Sequence, residues 1–216
     1  MKTGGNTAFP RQAPKAPQWN LLLALLLIPV PAIAFLALDE PVARMTGQWP
    51  DLLTTLSAQT TDAVMLVPIM SALALFSGIA LTLQSTRIAM KGFYAAASVL
   101  LASGIVHAIK PLVGRARPTV FEEHGLFGRK AFDGTFDYVS FPSGHAAHAG
   151  ALFAALAFCF PRYRWLFAAL ALWFAATRLI LGVHYPSDVV VGLLAGLGSA
   201  VLLARLAARY GRIFRL

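Results

Sequence analysis

Of 216 residues, 58% are hydrophobic and only 12% are charged, against roughly 25% charged in a typical soluble domain, and the formal net charge is +9. That composition excludes an ordinary soluble domain and points to a membrane protein whose basic residues sit between apolar runs, with no nucleic-acid partner expected. The single cysteine, Cys159, lies in an apolar run, which rules out disulfides within the chain and reads as core packing.

In chain order, residues 1–18 carry Gly4, Gly5, Pro10, Pro14 and Pro17 and read as a flexible cytoplasmic tail. A helix needs about 20 mostly apolar residues to cross the hydrocarbon core. Six segments meet or approach that length, at about 19–38, 62–83, 92–110, 144–160, 163–181 and 187–206. The expected fold is therefore all-α, a six-transmembrane-helix bundle over residues 19–210, followed by a basic cytoplasmic C-terminus at 211–216. The first apolar run, about 20 residues long, exceeds the usual 7 to 15 of a signal-peptide core, so it is read as a span. The connection at about 39–61 is mixed in polarity and carries no sign of chemistry. The connection at about 111–143 is the longest. It contains Phe121, Phe127, Phe132, Phe136 and Tyr138, and is expected to form an ordered cover at the membrane interface.

The charges orient the bundle. With a cytoplasmic N-terminus, the inner segments hold Lys2, Arg11, Lys15, Arg87, Lys91, Arg162, Arg164, Arg205, Arg209, Arg212 and Arg215 and no acid, while all nine acids fall outside. The positive-inside rule selects this arrangement. It expects a multi-pass protein of the bacterial inner membrane with its active site at the outer, periplasmic ends of the helices.

Three stretches carry chemistry. Lys110 ends the third span and Arg117-Pro118 follows seven residues later, so both cations can face an anion held above the bundle. Pro142-Ser143-Gly144-His145 opens the fourth span, where free backbone N–H groups and the helix dipole favour phosphate. Gly144 allows close backbone approach, and the Ser143 hydroxyl is a further donor. Arg178 lies near the end of the fifth span, His184 in the tight connection after it, and Asp188 at the start of the sixth. A carboxylate one turn beyond a histidine can hold one ring nitrogen and leave the other free to attack. Charges inside a membrane domain cost about 2.5 to 3.5 kcal/mol each on insertion scales, so this set is expected to share one site.

In this order and on six apolar spans, the three stretches resemble the type 2 phosphatidic acid phosphatase family over roughly residues 60–206. The resemblance implies a metal-independent membrane phosphatase that hydrolyses a lipid phosphate or diphosphate monoester through a phosphohistidine. Isoprenyl diphosphate, phosphatidic acid, phosphatidylglycerol phosphate and lipid A phosphates all fit that description. It implies His184 as nucleophile, Asp188 as its orienting carboxylate and His145 as general acid. Lys110, Arg117, Ser143, Gly144 and Arg178 would bind the phosphoryl group. The family's third motif usually has serine before its arginine; here Thr177 keeps a hydroxyl. No cofactor is expected, and the partners expected are the lipid substrate and the bilayer. A phosphotransferase of the same family and a non-catalytic lipid-binding protein are the alternative functions. Arg115 reads as an interfacial anchor, Glu122 and Glu123 as a solvated pair, His124 as loop surface, and His107 and His148 as bundle hydrogen bonders. Gly192, Gly196 and Ala200 form a small-residue packing stripe.

Overall fold

The computed structural model describes residues 29–124 and 128–209, apart from the side chains of 122–124 and 209. The expected tail at 1–18, the first half of the expected first span, Phe127 and the expected C-terminus at 211–216 lie outside the described residues, as do the side chains of Glu122, Glu123 and His124. Among the described residues every regular element is helical, and one isolated bridge pairs Arg115 with Arg129.

Helix α1 (Pro29–Ile33) runs through a π-helical turn (Ala34–Leu38) into α2 (Asp39–Arg44). Next come α3 (Asp51–Thr61), a short 3-10 turn (Asp62–Val64) and α4 (Leu66–Thr82). Then follow α5 (Thr86–Val113), α6 (Pro118–His124), α7 (Gly144–Cys159), α8 (Arg164–Ile180) and α9 (Pro186–Arg209). Two helices, Thr86–Val113 and Pro186–Ala208, are long and apolar enough to cross a membrane. The bent pair 51–64 and 66–82 makes a third candidate. Leu36, Val67 and Leu172 stand outward and exposed, as side chains facing hydrocarbon do.

The second span differs from expectation. Its apolar run begins after a separate polar helix, α3, and the two are bent by 57°. Met65 adopts an extended backbone, and Pro68, which lacks an N–H, is accommodated in the first turn of α4 but not in the middle of a continuous helix. The third span is longer at both ends than the apolar pattern implied, running from Thr86 to Val113. Gly114 takes the left-handed conformation (φ 55) and returns its N–H to the Lys110 carbonyl at 3.0 Å, ending α5 where the chain must turn under the Lys130 backbone.

The core is built on alanine and valine from α5, α7 and α9, including Val99, Ala102, Val106, Ala147, Ala151 and Ala200. Small residues bring α7 and α9 close. A Cβ on Gly150 would lie 2.6 Å from the Leu193 carbonyl oxygen, and one on Gly192 or Gly196 would strike the backbone of α7. The glycine stripe expected from sequence thus packs α9 on α7. Cys159 is buried in this core. Its carbonyl accepts from Lys91 Nζ at 3.1 Å, and that ammonium also lies 4.5 Å from the Phe160 ring centre, capping the end of α7.

Candidate active site

The close packing of α7 on α9 fixes where their N-termini meet. The Ser143 N–H donates to the Asp188 carbonyl at 3.0 Å, so the two helix starts are joined directly. Between α8 and α9 the chain turns within residues 181–185. Gly182 takes φ 65, and Val183 returns its N–H to the Arg178 carbonyl at 3.2 Å. This turn sets His184 beside the start of α9.

His184 is buried, with Nδ1 3.6 Å from Asp188 Oδ2 and 3.5 Å from Ser140 Oγ. Ser140 donates its own proton to Asp188 Oδ2 at 2.6 Å. Both oxygens facing Nδ1 can therefore only accept, which puts the proton on Nδ1 and leaves the Nε2 lone pair free. Burial, reinforced by the nearby Arg117 and Lys110, lowers the His184 pKa to about 4 despite the opposing pull of Asp188, so the ring is neutral at physiological pH.

Two cations, Lys110 and Arg117, act on this histidine, and a third, Arg178, lies within electrostatic reach of Arg117 and His145. Lys110 donates to the Val139 carbonyl from the end of α5. Arg117 donates through Nε to the Phe136 carbonyl at 2.7 Å and through Nη1 to the Val183 carbonyl at 2.8 Å, with the Phe136 ring centre 3.8 Å from its guanidinium carbon. Burial, followed by the proximity of Arg178, lowers the Arg117 pKa to about 10, which leaves it charged at neutral pH. Arg178 donates to Thr61 Oγ1 at 2.7 Å, while its buried Nε has no hydrogen-bond partner in the protein. Thr61 pairs in turn with Thr177 at 3.1 Å, and Thr177 donates to the Phe174 carbonyl at 2.7 Å. The hydroxyl at 177 therefore supports the residue that holds Arg178.

At the start of α7, Ser143 caps the helix, its hydroxyl accepting from Ala146 N at 3.5 Å. The protein's own packing does not demand glycine at 144, since an added Cβ would make only an ordinary 4.0 Å contact with Val106. Its missing side chain instead leaves the helix N-terminus open. His145 lies within electrostatic reach of Arg178, His184 and Arg117, and its buried Nε2 has no hydrogen-bond partner in the protein. The sequence-predicted residues Lys110, Arg117, Ser143, Gly144, His145, Arg178, His184 and Asp188 thus gather at one end of the bundle. A neutral nucleophilic nitrogen, a second imidazole and three cations suit transfer of a phosphoryl group.

Arg115 departs from the reading as an interfacial anchor. It is 6% exposed and bridges two buried carboxylates, donating through Nη1 to Asp188 Oδ1 at 2.6 Å and through Nη2 to Asp39 Oδ2 at 2.7 Å. Asp39, from a connection that carried no sign of chemistry, is equally buried. Burial wins over anchoring because the cation finds two fixed carboxylates and the Tyr185 ring, 4.1 Å away. Sequence reasoning also missed Ser140 and Thr61. The available signal was a second arginine in the Lys110-to-Arg117 stretch that the motif left unused, and an acid ending the first apolar run.

His107 and His148 behave as bundle hydrogen bonders. His107 Nδ1 meets the Ser103 carbonyl at 2.8 Å and His148 Nδ1 the Val64 carbonyl at 3.1 Å. Among the described residues no group of three or more His, Cys, Asp or Glu side chains is arranged to hold a metal ion.

Comparison with known proteins agrees with this geometry. The chain is 41% identical over 133 residues to a lipid A 1-phosphatase of Rhizobium johnstonii, covering 62% of this chain and 54% of that protein. It is 40% identical over 97 residues to a lipid A 4'-phosphatase of Bacteroides thetaiotaomicron, covering 41% of this chain and 40% of that protein. The chain spans about half the length of the curated relatives it matches. Its fold resembles the crystal structure of a transmembrane PAP2-type phosphatidylglycerolphosphate phosphatase from Bacillus subtilis, with a TM-score of 0.53, 19% identity and coverage of 91% of this chain and 95% of that one. Residues 91–212 match the sequence pattern of the PAP2 superfamily, which takes in more than half of the chain and every motif residue described above, and the chain therefore belongs to that superfamily.

Proposed function

We propose that this protein is an integral membrane phosphatase that removes a phosphate monoester from a lipid headgroup, with a lipid A-type sugar phosphate as the preferred substrate class. The gathering of a free His184 Nε2 with Lys110, Arg117 and Arg178 at one end of an apolar bundle carries the reading. The 41% identity to lipid A 1-phosphatases supports the substrate class.

In this reading the three cations and the N-terminus of α7 neutralise the phosphoryl oxygens. His184 Nε2 attacks phosphorus in line, the bond to the lipid oxygen breaks, and His145 gives that oxygen a proton. Water, deprotonated by His145, then attacks the phosphohistidine, releasing phosphate and restoring His184. Asp188 holds the Nδ1 proton and balances the charge that builds on the ring. The bundle is read as six spans of the bacterial inner membrane, with the site facing the periplasm in accord with the charge bias.

The test is phosphate release by purified protein in detergent or vesicles, against a panel of lipid A, isoprenyl diphosphate, phosphatidic acid and phosphatidylglycerol phosphate. Release from lipid A above the others is expected. A phosphorylated lipid product with little free phosphate would instead identify a phosphotransferase, and no reaction with any substrate would overturn the enzymatic reading.

A further inference from the structure

The Asp188 carboxylate divides its two oxygens between tasks. Oδ2 faces His184 and accepts from Ser140 Oγ at 2.6 Å and from the Tyr185 N–H at 3.0 Å. Oδ1 faces away and accepts from Arg115 Nη1 at 2.6 Å. Arg115 is fixed in turn by Asp39 at 2.7 Å and donates to Ser187 Oγ at 2.7 Å. Ser187 donates its hydroxyl to Asp39 Oδ2 at 2.6 Å and its backbone N–H to Asp39 Oδ1 at 2.9 Å. Arg115 can only donate and the two carboxylates can only accept, so the Ser187 hydroxyl, which accepts from Arg115, must pass its own proton to Asp39, and the network has a single proton arrangement. All of its members are buried.

We infer that Asp39, Arg115 and Ser187 form a positioning relay that holds Asp188, and through it the proton on His184 Nδ1, so that α2 is a working part of the site. Asp39 lies outside the residues matched to the superfamily pattern. A buried ion pair seldom adds net stability over apolar packing, because desolvation of both charges offsets their attraction. What this one supplies is direction. Without Arg115, Oδ1 loses its anchor and the Asp188 carboxylate is held only through Oδ2, by the Ser140 hydroxyl and the Tyr185 N–H, so that its tilt toward His184 is no longer fixed from both sides. Without Asp39, Arg115 loses the partner that fixes its guanidinium plane. The relay rests on the phosphatase reading for its kinetic consequences only; its structural content is the His184 tautomer.

Two measurements separate these levels. In phosphate release, Asp39→Asn and Arg115→Gln should each lower kcat on the order of 10- to 100-fold, the size usual for partners behind a reacting group, with KM changed about twofold or less. The double variant should be no slower than Arg115→Gln alone. The acid limb of the pH profile should move in opposite directions. Removing the Arg115 cation leaves Asp188 uncompensated and raises the pH at which His184 takes up a proton, whereas removing the Asp39 charge lowers it. A merely structural defect would not split the two in sign. Nitrogen-15 NMR of histidine-labelled protein, with His184 assigned through His184→Asn, reads the tautomer without turnover. The wild type should show Nδ1–H, and both variants should show a mixture.

Arg115→Lys and Ser187→Ala provide milder forms, should Arg115→Gln fail to fold in a thermal melt. Arg115→Lys should keep one contact and part of the rate. Unchanged tautomer and unchanged kcat in Asp39→Asn and Arg115→Lys would overturn the relay. A wild type inactive on every lipid phosphate would overturn the phosphatase reading while leaving the tautomer measurement to decide the relay.

Discussion

The backbone N–H of Ser143 and the carbonyl of Asp188 are bonded at 3.0 Å, so the helix that carries His145 in its first turn and the helix that begins two residues after His184 are joined at their starts. A single backbone contact thus ties the proposed acid to the proposed nucleophile, and the side chains need little further ordering to meet one phosphoryl group.

Replacing His184 by alanine should lower phosphate release on the order of a thousandfold or more, because no other nucleophile takes its place. His107→Ala, one turn before Lys110 on α5 and bonded to its own helix, should reduce the rate far less. Single-turnover assays with acid-stable and acid-labile phosphate counted separately would check this, since a phosphohistidine is acid-labile.

The pH dependence follows from the lowered His184 pKa. The ring is neutral above about 4 in the folded protein, whereas in the unfolded chain it takes up a proton near 6.5. Nucleophile protonation should therefore leave activity intact through pH 5. The stability contributed by the neutral ring is fully present above pH 6.5 and is lost as pH falls through 6.5 toward 4. Thermal melts between pH 4 and 8 should show that decline, and it should be smaller in His184→Asn.

Arg178→Lys should weaken kcat/KM by about 10- to 100-fold, the equivalent of losing a charge-assisted contact of about 1.5 to 3 kcal/mol. A lysine keeps the charge but not the fork that can hold Thr61 through Nη1 and, in the proposed reading, the phosphoryl group through its remaining N–H groups. Thr61→Val, which removes the hydroxyl that holds Arg178, should fall in the same direction with a smaller loss.

Gly150→Val should destabilise the bundle by about 1 to 3 kcal/mol, because its side chain meets the Leu193 backbone, which cannot move away as a flexible side chain would. Activity should fall with it, as α7 and α9 carry the site. Gly198→Ala, with open space around its Cβ, should be neutral or slightly stabilising. Melting temperatures in detergent compare the two.

Chelator should leave the rate within about twofold, and vanadate should compete with substrate by adopting the five-coordinate geometry of phosphoryl transfer. The carboxylate nearest the nucleophile, Asp188, is already engaged by Arg115, Ser140 and the Tyr185 N–H. Hard cations take several oxygen ligands. A large loss restored by magnesium would contradict the metal-independent reading.

The motif residues were legible because each stretch is local: Arg117 comes seven positions after Lys110, and Asp188 four positions after His184. The apolar runs marked most of the helices for the same reason. Asp39, Ser140 and Thr61 were not legible, since their partners lie far away in sequence: Asp39 meets Arg115, Ser140 meets Asp188 and Thr61 meets Arg178. Local spacing holds no record of such pairings. Arg115 looked like an anchor because it follows the end of an apolar span, while its partners come from α2 and α9. Helix α3 went unseen for another reason: its sequence alternates polar and apolar residues, and what holds it is contact with α8, including the bond from Trp173 Nε1 to Thr60 Oγ1 at 3.2 Å.

His145 Nε2 and Arg178 Nε are buried without a hydrogen-bond partner in the protein, and a buried polar group left wholly unmet costs about 1 to 3 kcal/mol. In the proposed reading an oxyanion seated between them would meet both groups, which would make the ligand a participant in the folding equilibrium itself. By mass action, an anion at one hundred times its Kd adds about 2.7 kcal/mol to stability. The melting temperature then becomes a gauge of site occupancy, able to rank phosphates, phosphonates and vanadate with no turnover at all.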